Sequence, residues 1–243
     1  MPHIYTIALL LVFSKGFLKE VQSAKQERDC IPLDVTITQK IDHLGFHRDL
    51  NWLIETNNLN LVEWLNSSCS IALRLDVGRG FFVNPDQAED LKRLGKLDIL
   101  IDGSVDVEAI AHQATGHIVY IFLNNKSQIS GRISVKLPIH LRYQRPLMGG
   151  HGKVLLTKPS FLVKCPESNN IICGLDKRVF APKSSEEFNN IQTWKNVSYK
   201  ADFEEMELLV PVGNLDDYGY VAVVSCILGC VGCIYILSLI KES

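Results

Sequence analysis

The chain has 243 residues, 47% of them hydrophobic, and a formal net charge of −2 at pH 7. A chain of this charge lacks the basic footprint of a nucleic-acid-binding protein, so we predict no nucleic-acid partner. About 190 residues separate the two apolar ends, which is enough for one sizeable domain and tight for two.

The amino-terminal apolar run covers Ile4 to Phe13. About ten apolar residues are too few to span a bilayer but fit the core of a secretory signal peptide. We therefore predict a signal peptide over residues 1–23, with cleavage after Gly16, Ser23 or Ala24. An uncleaved buried strand is the alternative.

Residues 24–217 form the predicted ectodomain, in which apolar and polar residues alternate over several short runs. One short helix is predicted at Asp86 to Leu94, with Asn84 or Asp86 as its cap. Seven or more short strands must each bury one face, so we predict an all-β, β-sandwich-like domain. The strand-like runs are LDVTITQ, SIALRLDVG, LDILIDG, HIVYIFLN, RISVKLPIHLRY, KVLLTKPSFLVKC and FEEMELLVPV.

Three Asn-x-Ser sequons fit a secreted or lumenal domain and predict glycosylation at Asn66, Asn125 and Asn196. The same region holds four of the seven cysteines: Cys30, Cys69, Cys165 and Cys173. An even number of cysteines in an oxidising compartment predicts two disulfides. Of the three possible pairings we favour Cys165 with Cys173, across the short loop PESNNII, and Cys30 with Cys69.

The carboxyl-terminal apolar run, Val221 to Ile240, carries no charge and matches the thickness of a bilayer. We predict a transmembrane helix over residues 218–240 and a cytosolic tail over residues 241–243. Asp216 and Asp217 precede the span and Lys241 follows it, which favours a type I orientation. Three small residues of the span fall four apart, where a neighbouring helix could approach closely: Ser225, Gly229 and Cys233.

Two motifs resemble nucleotide-binding signatures, and both fail on spacing. His47-Arg48-Asp49-Leu50 copies the opening of a kinase catalytic loop, but Ile54 stands where the loop needs Asn. Residues 149–154, GGHGKV, lack the earlier glycine of a P-loop and have Val where it needs Ser or Thr.

Two further groups invite a catalytic or metal-binding interpretation. Asp106 and Glu108 could grip a divalent ion, but residues two apart in a strand also simply share one face. His112 and His117 are five apart, not the four that align two ligands on a helix. We expect both histidines to be exposed, and we predict no metal and no cofactor.

The densest polar cluster lies in Leu137 to Pro146, LPIHLRYQRP. Strand alternation predicts one face with His140, Arg142 and Gln144, and another with Leu141, Tyr143 and Arg145. Arginine and tyrosine are enriched where proteins meet partners, which favours a contact surface. The alternative is that the arginines pair within the domain and Tyr143 packs in its core.

Five stretches of the chain resemble, in order, the motifs of the PIG-X family. They are FHRDL at 46–50, IALRLDVGRGFFVNPDQAEDL at 71–91, DVEA at 106–109, LPIHLRYQRP at 137–146 and LLVPVG at 208–213. The most specific is the HxRYxRP element formed by His140, Arg142, Tyr143, Arg145 and Pro146.

The resemblance implies a noncatalytic accessory subunit of glycosylphosphatidylinositol (GPI) mannosyltransferase I, held in the endoplasmic reticulum membrane with its ectodomain in the lumen. The catalytic partner would be the multi-spanning PIG-M. That subunit transfers the first mannose from dolichol-phosphate-mannose to the glucosaminyl-phosphatidylinositol intermediate. The predicted partner contacts are His140, Arg142, Tyr143, Arg145, Ser225, Gly229 and Cys233.

Two other hypotheses share the topology. A type I adhesion or receptor protein would carry the same sandwich and span. A lumenal glycan-processing enzyme would depend on carboxylates such as Asp106 and Glu108.

Overall fold

The computed structural model describes residues 34–56, 69–123, 132–165 and 177–242. The predicted signal peptide, the sequons at Asn66 and Asn125, and the cysteines Cys30 and Cys173 lie outside these residues. The described part consists of stacked β-sheets followed by one long carboxyl-terminal helix. The prediction of an all-β, sandwich-like domain with one carboxyl-terminal helix is confirmed.

Thirteen strands occur in the described ranges. In chain order they are β1 (Val35–Asp42), β2 (His47–Thr56), β3 (Ser70–Val77), β4 (Phe81–Phe82), β5 (Asp98–Asp102), β6 (His117–Phe122), β7 (Arg132–Leu141), β8 (His151–Leu156), β9 (Ser160–Lys164), β10 (Lys177–Pro182), β11 (Ile191–Val197), β12 (Lys200–Ala201) and β13 (Met206–Pro211). Every predicted run contains a strand, and KVLLTKPSFLVKC contributes to two.

The strands assemble into two large sheets and one small one. The five-stranded sheet has the order β12-β1-β2-β7-β4, and the six-stranded sheet has the order β10-β11-β9-β3-β6-β5. Strands β8 and β13 pair antiparallel as a two-stranded sheet. Ladders are antiparallel except for the short β1–β12 pair.

One apolar core joins all three sheets. Trp52 and Leu137 enter it from the five-stranded sheet, and Leu73, Ile121 and Phe161 enter it from the six-stranded sheet. The small sheet adds its inward-facing side chains: Val154, Leu156, Leu208 and Val210. Burial of each large apolar side chain stabilises the fold by about 1.5–3 kcal/mol, so this core is the main source of stability.

The other face of the six-stranded sheet carries a second cluster, which we call the outer cluster: Ala72, Tyr120, Phe122, Leu162, Ala181 and Trp194. Trp194 is fully buried and its indole Nε1 donates to the Pro182 carbonyl at 3.1 Å. The Ser185 hydroxyl, just after β10, donates to the Asp98 carboxylate on β5. Since β10 and β5 are the two edge strands, the sheet curls until its edges are bridged over this cluster.

The disulfide joins Cys69 and Cys165, whose Cα atoms are 4.2 Å apart. The favoured pairing of Cys165 with Cys173 and Cys30 with Cys69 is therefore wrong. Strands β3 and β9 are antiparallel neighbours with Ser70 opposite Lys164, so the next pair of positions is Cys69 and Cys165. Sheet register, rather than proximity in the sequence, sets the pairing.

The predicted short helix is present as α1, Pro85–Arg93, one residue earlier than expected. The Asn84 side chain accepts from the backbone N–H groups of Asp86 and Gln87, at 2.9 and 3.4 Å. Pro85 occupies the first turn, where its missing N–H is harmless, so local sequence fixes where this helix begins.

The carboxyl-terminal helix α2, Tyr218–Glu242, follows a short 3₁₀ turn at Leu215–Asp217. Residues Leu215–Lys241 are long and apolar enough to cross a membrane, and none of their most apolar window is buried within the chain. Tyr218 and Tyr220 lie at the start of α2, where aromatic side chains typically meet the membrane interface.

Candidate functional site

The family-like motifs of the sequence meet in one region, which we call the motif cluster. Its members come from the end of β7, the start of β2 and the turn before it, the strand β4, the helix α1, the loop after β5 and the strand β13. They are Phe46 to Leu50, Phe82, Gln87, Asp106 to Ala109, His140 to Arg145, and Leu209. The contacts below show how these distant segments are held together.

Arg142 is the buried centre of the motif cluster, with 3% of its surface exposed. Its Nη1 donates to the backbone carbonyls of Asp106 at 2.6 Å and Ala109 at 2.7 Å. The guanidinium also lies over the Phe82 ring, 4.4 Å from its centroid. Burial lowers the pKa of Arg142. The side chain therefore positions the loop at 106–109 and does not present its charge at the surface.

Strand β7 ends at Leu141. The Arg142 backbone N–H bonds to the Gly80 carbonyl at 2.9 Å, which extends the pairing of β4 with β7 by one position. Leu141 and Arg142 are both buried although they are adjacent. His140 and Arg142 both lie against the Phe82 ring, so these two residues share one side of the chain.

His140 packs between aromatic rings on the other face of β7. Its ring lies edge-on to His47 at 4.4 Å and stacks on Phe82 at 5.2 Å between centroids. Its Nε2 lies 2.9 Å from Oε1 of Gln87 on α1. Burial, together with the neighbouring His47, lowers the pKa of His140. This histidine joins the five-stranded sheet to the helix α1.

Tyr143, Arg145 and Pro146 are the exposed members of the HxRYxRP element. The Tyr143 ring contacts Phe46 at 4.8 Å between centroids, yet 71% of the residue is exposed. Its carbonyl accepts from the Ala111 N–H at 2.9 Å. The side chains of Tyr143 and Arg145, unlike that of Arg142, are available to another molecule.

Arg48 anchors the FHRDL motif to the strand that leads to the span. Only 7% exposed, it donates from Nη2 to the Leu209 carbonyl at 2.6 Å and from Nε to the Gly45 carbonyl at 3.0 Å. The Asp49 carboxylate forms an ion pair with the Lys136 ammonium group at 2.9 Å. The kinase-like residues therefore have structural roles.

Asp106 and Glu108 do not share a strand face, because they lie in a loop. The Asp106 carboxylate accepts from the Glu108 N–H at 2.9 Å, which closes a tight local turn. Within the described ranges, no group of three or more His, Cys, Asp or Glu side chains could hold a metal ion.

The motif cluster is tied directly to the start of the span. Leu147 donates from its N–H to the Gly213 carbonyl at 3.0 Å, and its own carbonyl accepts from the Leu215 N–H at 3.2 Å. The Gly149 N–H bonds the Asp216 carboxylate at 3.0 Å. Gly149 and Gly150 have φ of 77° and 69°, which favours glycine, so GGHGKV forms a turn into β8 rather than a phosphate loop.

A model of the family described as PIG-X / PBN1 matches residues 43–241. That range contains every element of the motif cluster. The chain belongs to the PIG-X / PBN1 family.

Curated mammalian proteins are similar to this chain over most of its length. The human protein is 27% identical over 183 residues, covering 74% of this chain and 69% of the human protein. The rat protein is 29% identical over 185 residues, covering 74% and 71% of the two chains. Both are named as the stabilizing subunit of GPI alpha-1,4-mannosyltransferase I.

The remaining sequence candidates of this PIG-X / PBN1 chain have different surroundings. His112 is exposed as expected, whereas His117 is 5% exposed on β6, so the prediction for that residue is wrong. Its Nε2 accepts from the Val83 N–H at 3.5 Å. Burial and, to a lesser degree, the nearby Arg142 lower the pKa of His117 to about 4.

The small residues Ser225, Gly229 and Cys233 lie within α2, on the exposed surface of the helix. Their spacing of four places them on one face, so a role in helix packing stays a prediction. Asn196 is half-buried on β11, paired with Leu162 on one side and Lys177 on the other. Its glycosylation also stays a prediction.

Sequence reasoning named the stretches that contain Arg48, Phe82 and Gln87 but predicted no contact for these three residues. The signal for Arg48 was its alternation with Leu50 and Trp52 along one strand, which places an arginine on an inward face. Phe82 and Gln87 carried no such signal, because only the packing of β4 and α1 against His140 brings them there.

Proposed function

We propose that this chain is the noncatalytic stabilising subunit of GPI mannosyltransferase I. In this proposal it holds the catalytic subunit PIG-M in the endoplasmic reticulum membrane while PIG-M adds the first mannose of the GPI anchor. The ectodomain faces the lumen and α2 crosses the membrane once. Membership of the PIG-X / PBN1 family and the printed names of the mammalian relatives support this role.

The observation that carries the proposal is the convergence of the family motifs at the base of the span. The guanidinium groups of Arg142 and Arg48 donate hydrogen bonds to backbone carbonyls inside the domain, and these bonds hold the neighbouring segments in place. Such charge-assisted hydrogen bonds are directional and stronger than neutral ones. A surface built in this way suits the presentation of a fixed shape to a partner.

Exposed side chains next to these anchors are the candidate contacts. Tyr143 and Arg145 leave the motif cluster toward solvent, and Met148 in the adjoining turn is 77% exposed. At many interfaces a few large side chains near the centre, with tyrosine and arginine among the most frequent, contribute most of the binding energy. We propose that this edge, with the small-residue face of α2, contacts PIG-M.

The test is recovery of PIG-M with epitope-tagged full-length protein in mild detergent. The variant Tyr143→Ala with Arg145→Ala should lower recovery about tenfold while leaving the ectodomain folded. Recovery of PIG-M at the wild-type level would remove these two residues from the contact surface. Failure to recover any polytopic mannosyltransferase with wild-type protein would overturn the proposed function itself.

The chain offers a matched control in Phe180→Ala with Arg178→Ala. Phe180 is 71% exposed, the same as Tyr143, and Arg178 is an exposed arginine beside it on the edge strand β10. This pair removes an exposed ring and an exposed arginine from the edge of the six-stranded sheet, whereas the strands of the motif cluster belong to the other two sheets. It should leave PIG-M recovery unchanged.

A further inference from the structure

An open cavity of about 450 Å³ lies beside the motif cluster. Its walls come from the turn at residues 78–80, the segment at 111–112, residues 144–147 and the strand β8. The volume is within the range of small-ligand pockets, roughly 300–1,000 Å³. The charged or titratable side chains that line it are Arg79, His112, Arg145 and Lys153.

Two of the three cationic side chains in this cavity have no ion-pair partner among the described residues. Arg79 and Arg145 are exposed and make no ion pair with any residue in the described part of the chain. Lys153 pairs with Glu207 at 2.5 Å, but both side chains are more than half exposed, so that pair is weak. No aspartate or glutamate is among the lining residues.

The rest of the lining has the character of a built site. A Cβ on Gly80 would lie 2.6 Å from a Val154 methyl carbon, so this close approach of turn and strand needs glycine. The Gln144 side chain lines the cavity with a buried Nε2 that has no partner among the described residues. Leu147 and Leu155 are 44% and 53% exposed, and they add apolar surface beside the charges.

The cavity lies close to the start of the apolar segment. Leu147, one of its lining residues, forms a backbone bridge to Asn214, immediately before the apolar segment Leu215–Lys241. Arg145 is two residues from that bridge. The headgroup layer adds roughly 5–8 Å beyond each side of the hydrocarbon core, which an extended arginine side chain can cross.

We propose that this cavity binds the phosphate headgroup of an anionic phospholipid of the surrounding bilayer. Guanidinium groups match phosphate oxygens with two parallel hydrogen bonds, and Arg79 and Arg145 have none of their donors committed to a carboxylate. The exposed leucines meet the glycerol and upper acyl carbons. A concave site with apolar surface at membrane level fits a lipid better than an acidic peptide. The inference does not require PIG-M.

The experiment uses the purified full-length chain in nanodiscs made of phosphatidylcholine, with and without a minority of phosphatidylinositol. Native mass spectrometry after release counts the retained lipids. Wild-type protein should retain phosphatidylinositol in clear excess over its share of the bilayer. Retention of each lipid in proportion to its share of the bilayer would overturn the proposal, and no variant is needed for that result.

The variant Arg79→Gln with Arg145→Gln should reduce phosphatidylinositol retention about tenfold or more, since each lost charge-assisted contact weakens binding several-fold. Arg79→Lys with Arg145→Lys keeps the charge but loses the two parallel N–H donors of the guanidinium. Its phosphatidylinositol retention should fall between those of the wild type and the glutamine variant. The matched control, Arg93→Gln with Arg178→Gln, removes two exposed arginines elsewhere and should retain lipid like the wild type. Retention that is equal in all four proteins would overturn the proposal.

Two further measurements separate this site from other ligands. Free inorganic phosphate that stabilises the detergent-solubilised protein as much as phosphatidylinositol does would overturn the lipid assignment. Arg79→Gln alone leaves the proposed PIG-M contacts intact, so it should lower lipid retention and not PIG-M recovery. The reverse result, lost PIG-M with lipid retained, would assign the cavity to an acidic segment of the partner and overturn the proposal.

Discussion

The motif cluster and the outer cluster each have a buried centre, but the side chains at those centres differ in kind. The outer cluster is apolar around Trp194, whose indole N–H donates to the Pro182 carbonyl. The motif cluster contains two buried arginines, Arg48 and Arg142. Each donates hydrogen bonds to backbone carbonyls of another segment of the chain. Apolar burial gives stability without direction, whereas hydrogen bonds fix where a segment lies.

This difference separates holding the fold from placing a surface. The outer cluster needs only shape to close the curled six-stranded sheet. The motif cluster must hold the loop at 106–109 and the strand β13 in register with the base of the span, which apolar contacts alone would not specify. The predictions below test whether the two roles can be separated.

The largest effect is expected in the outer cluster. Trp194→Ala removes a fully buried indole and should lower the free energy of unfolding by about 4 kcal/mol. Guanidinium unfolding of the full-length chain in detergent, followed by circular dichroism, measures this loss. Trp194→Phe keeps an aromatic ring and should cost clearly less. Per folded molecule, PIG-M recovery should stay at the wild-type level, and a drop would contradict the separation of roles.

Arg142→Ala should lower the free energy of unfolding by about 3 kcal/mol, because two buried carbonyls lose a charged donor. Unlike the tryptophan variant, it should also lower PIG-M recovery per folded molecule, since the loop at 106–109 is released. Arg142→Lys keeps the charge and one bond and should recover part of both. A loss of stability without any loss of recovery would make the cluster purely structural.

The folded domain should also lose stability in acid. The native pKa of His117, about 4, is below its usual 6.5, so the unfolded chain binds the additional proton between these values. Stability is then complete above pH 6.5 and is lost as the pH falls toward 4, by about 2 kcal/mol between pH 7 and 5. Unfolding curves at the two pH values measure this.

His117→Gln keeps an acceptor for the Val83 N–H and has no proton to gain, so it should flatten that dependence. The lowered pKa of His140 acts in the same direction and leaves a smaller residual slope. An unchanged slope in the glutamine variant would show that His117 is not the titrating group.

The smallest effect on stability is expected at the exposed edge. Tyr143→Ala loses one ring contact with Phe46 and should change the free energy of unfolding by less than about 1 kcal/mol. The same variant should still lower PIG-M recovery. Tyr143→Phe, which keeps the ring, should behave as the wild type if packing rather than the hydroxyl carries the contact.

Local sequence was enough to predict the elements whose causes are local. The cap of α1 was visible as Asn84 before Pro85, and the uncharged run in α2 was visible as a span. Strand β2 was missed because HRDLNWLIET was interpreted for its kinase-like opening rather than for its alternation. Strands β10 (KRVFAP) and β11 (IQTWKNV) were missed because neither shows a clean alternation of apolar and polar residues.

The candidate site was predictable as residues but not as geometry. The sequence placed Arg142 and Tyr143 in one cluster, yet it could not show that β7 ends between Leu141 and Arg142. The Arg142 side chain is buried because it bonds the carbonyls of the loop at 106–109, more than thirty residues earlier in the chain. The disulfide pairing was wrong for the same reason, since it follows the register of two sheet neighbours.

The join between domain and span has a consequence for assembly. Between the last ladder residue of β13 and the first turn of α2, Val212, Gly213, Leu215 and Asp216 are all bonded to residues 147–150. The two parts are therefore joined without a flexible linker. Once α2 meets a neighbouring helix, the ectodomain is already at high effective concentration and in a set orientation, so its contact costs little additional entropy, but only a partner of matching geometry can use both.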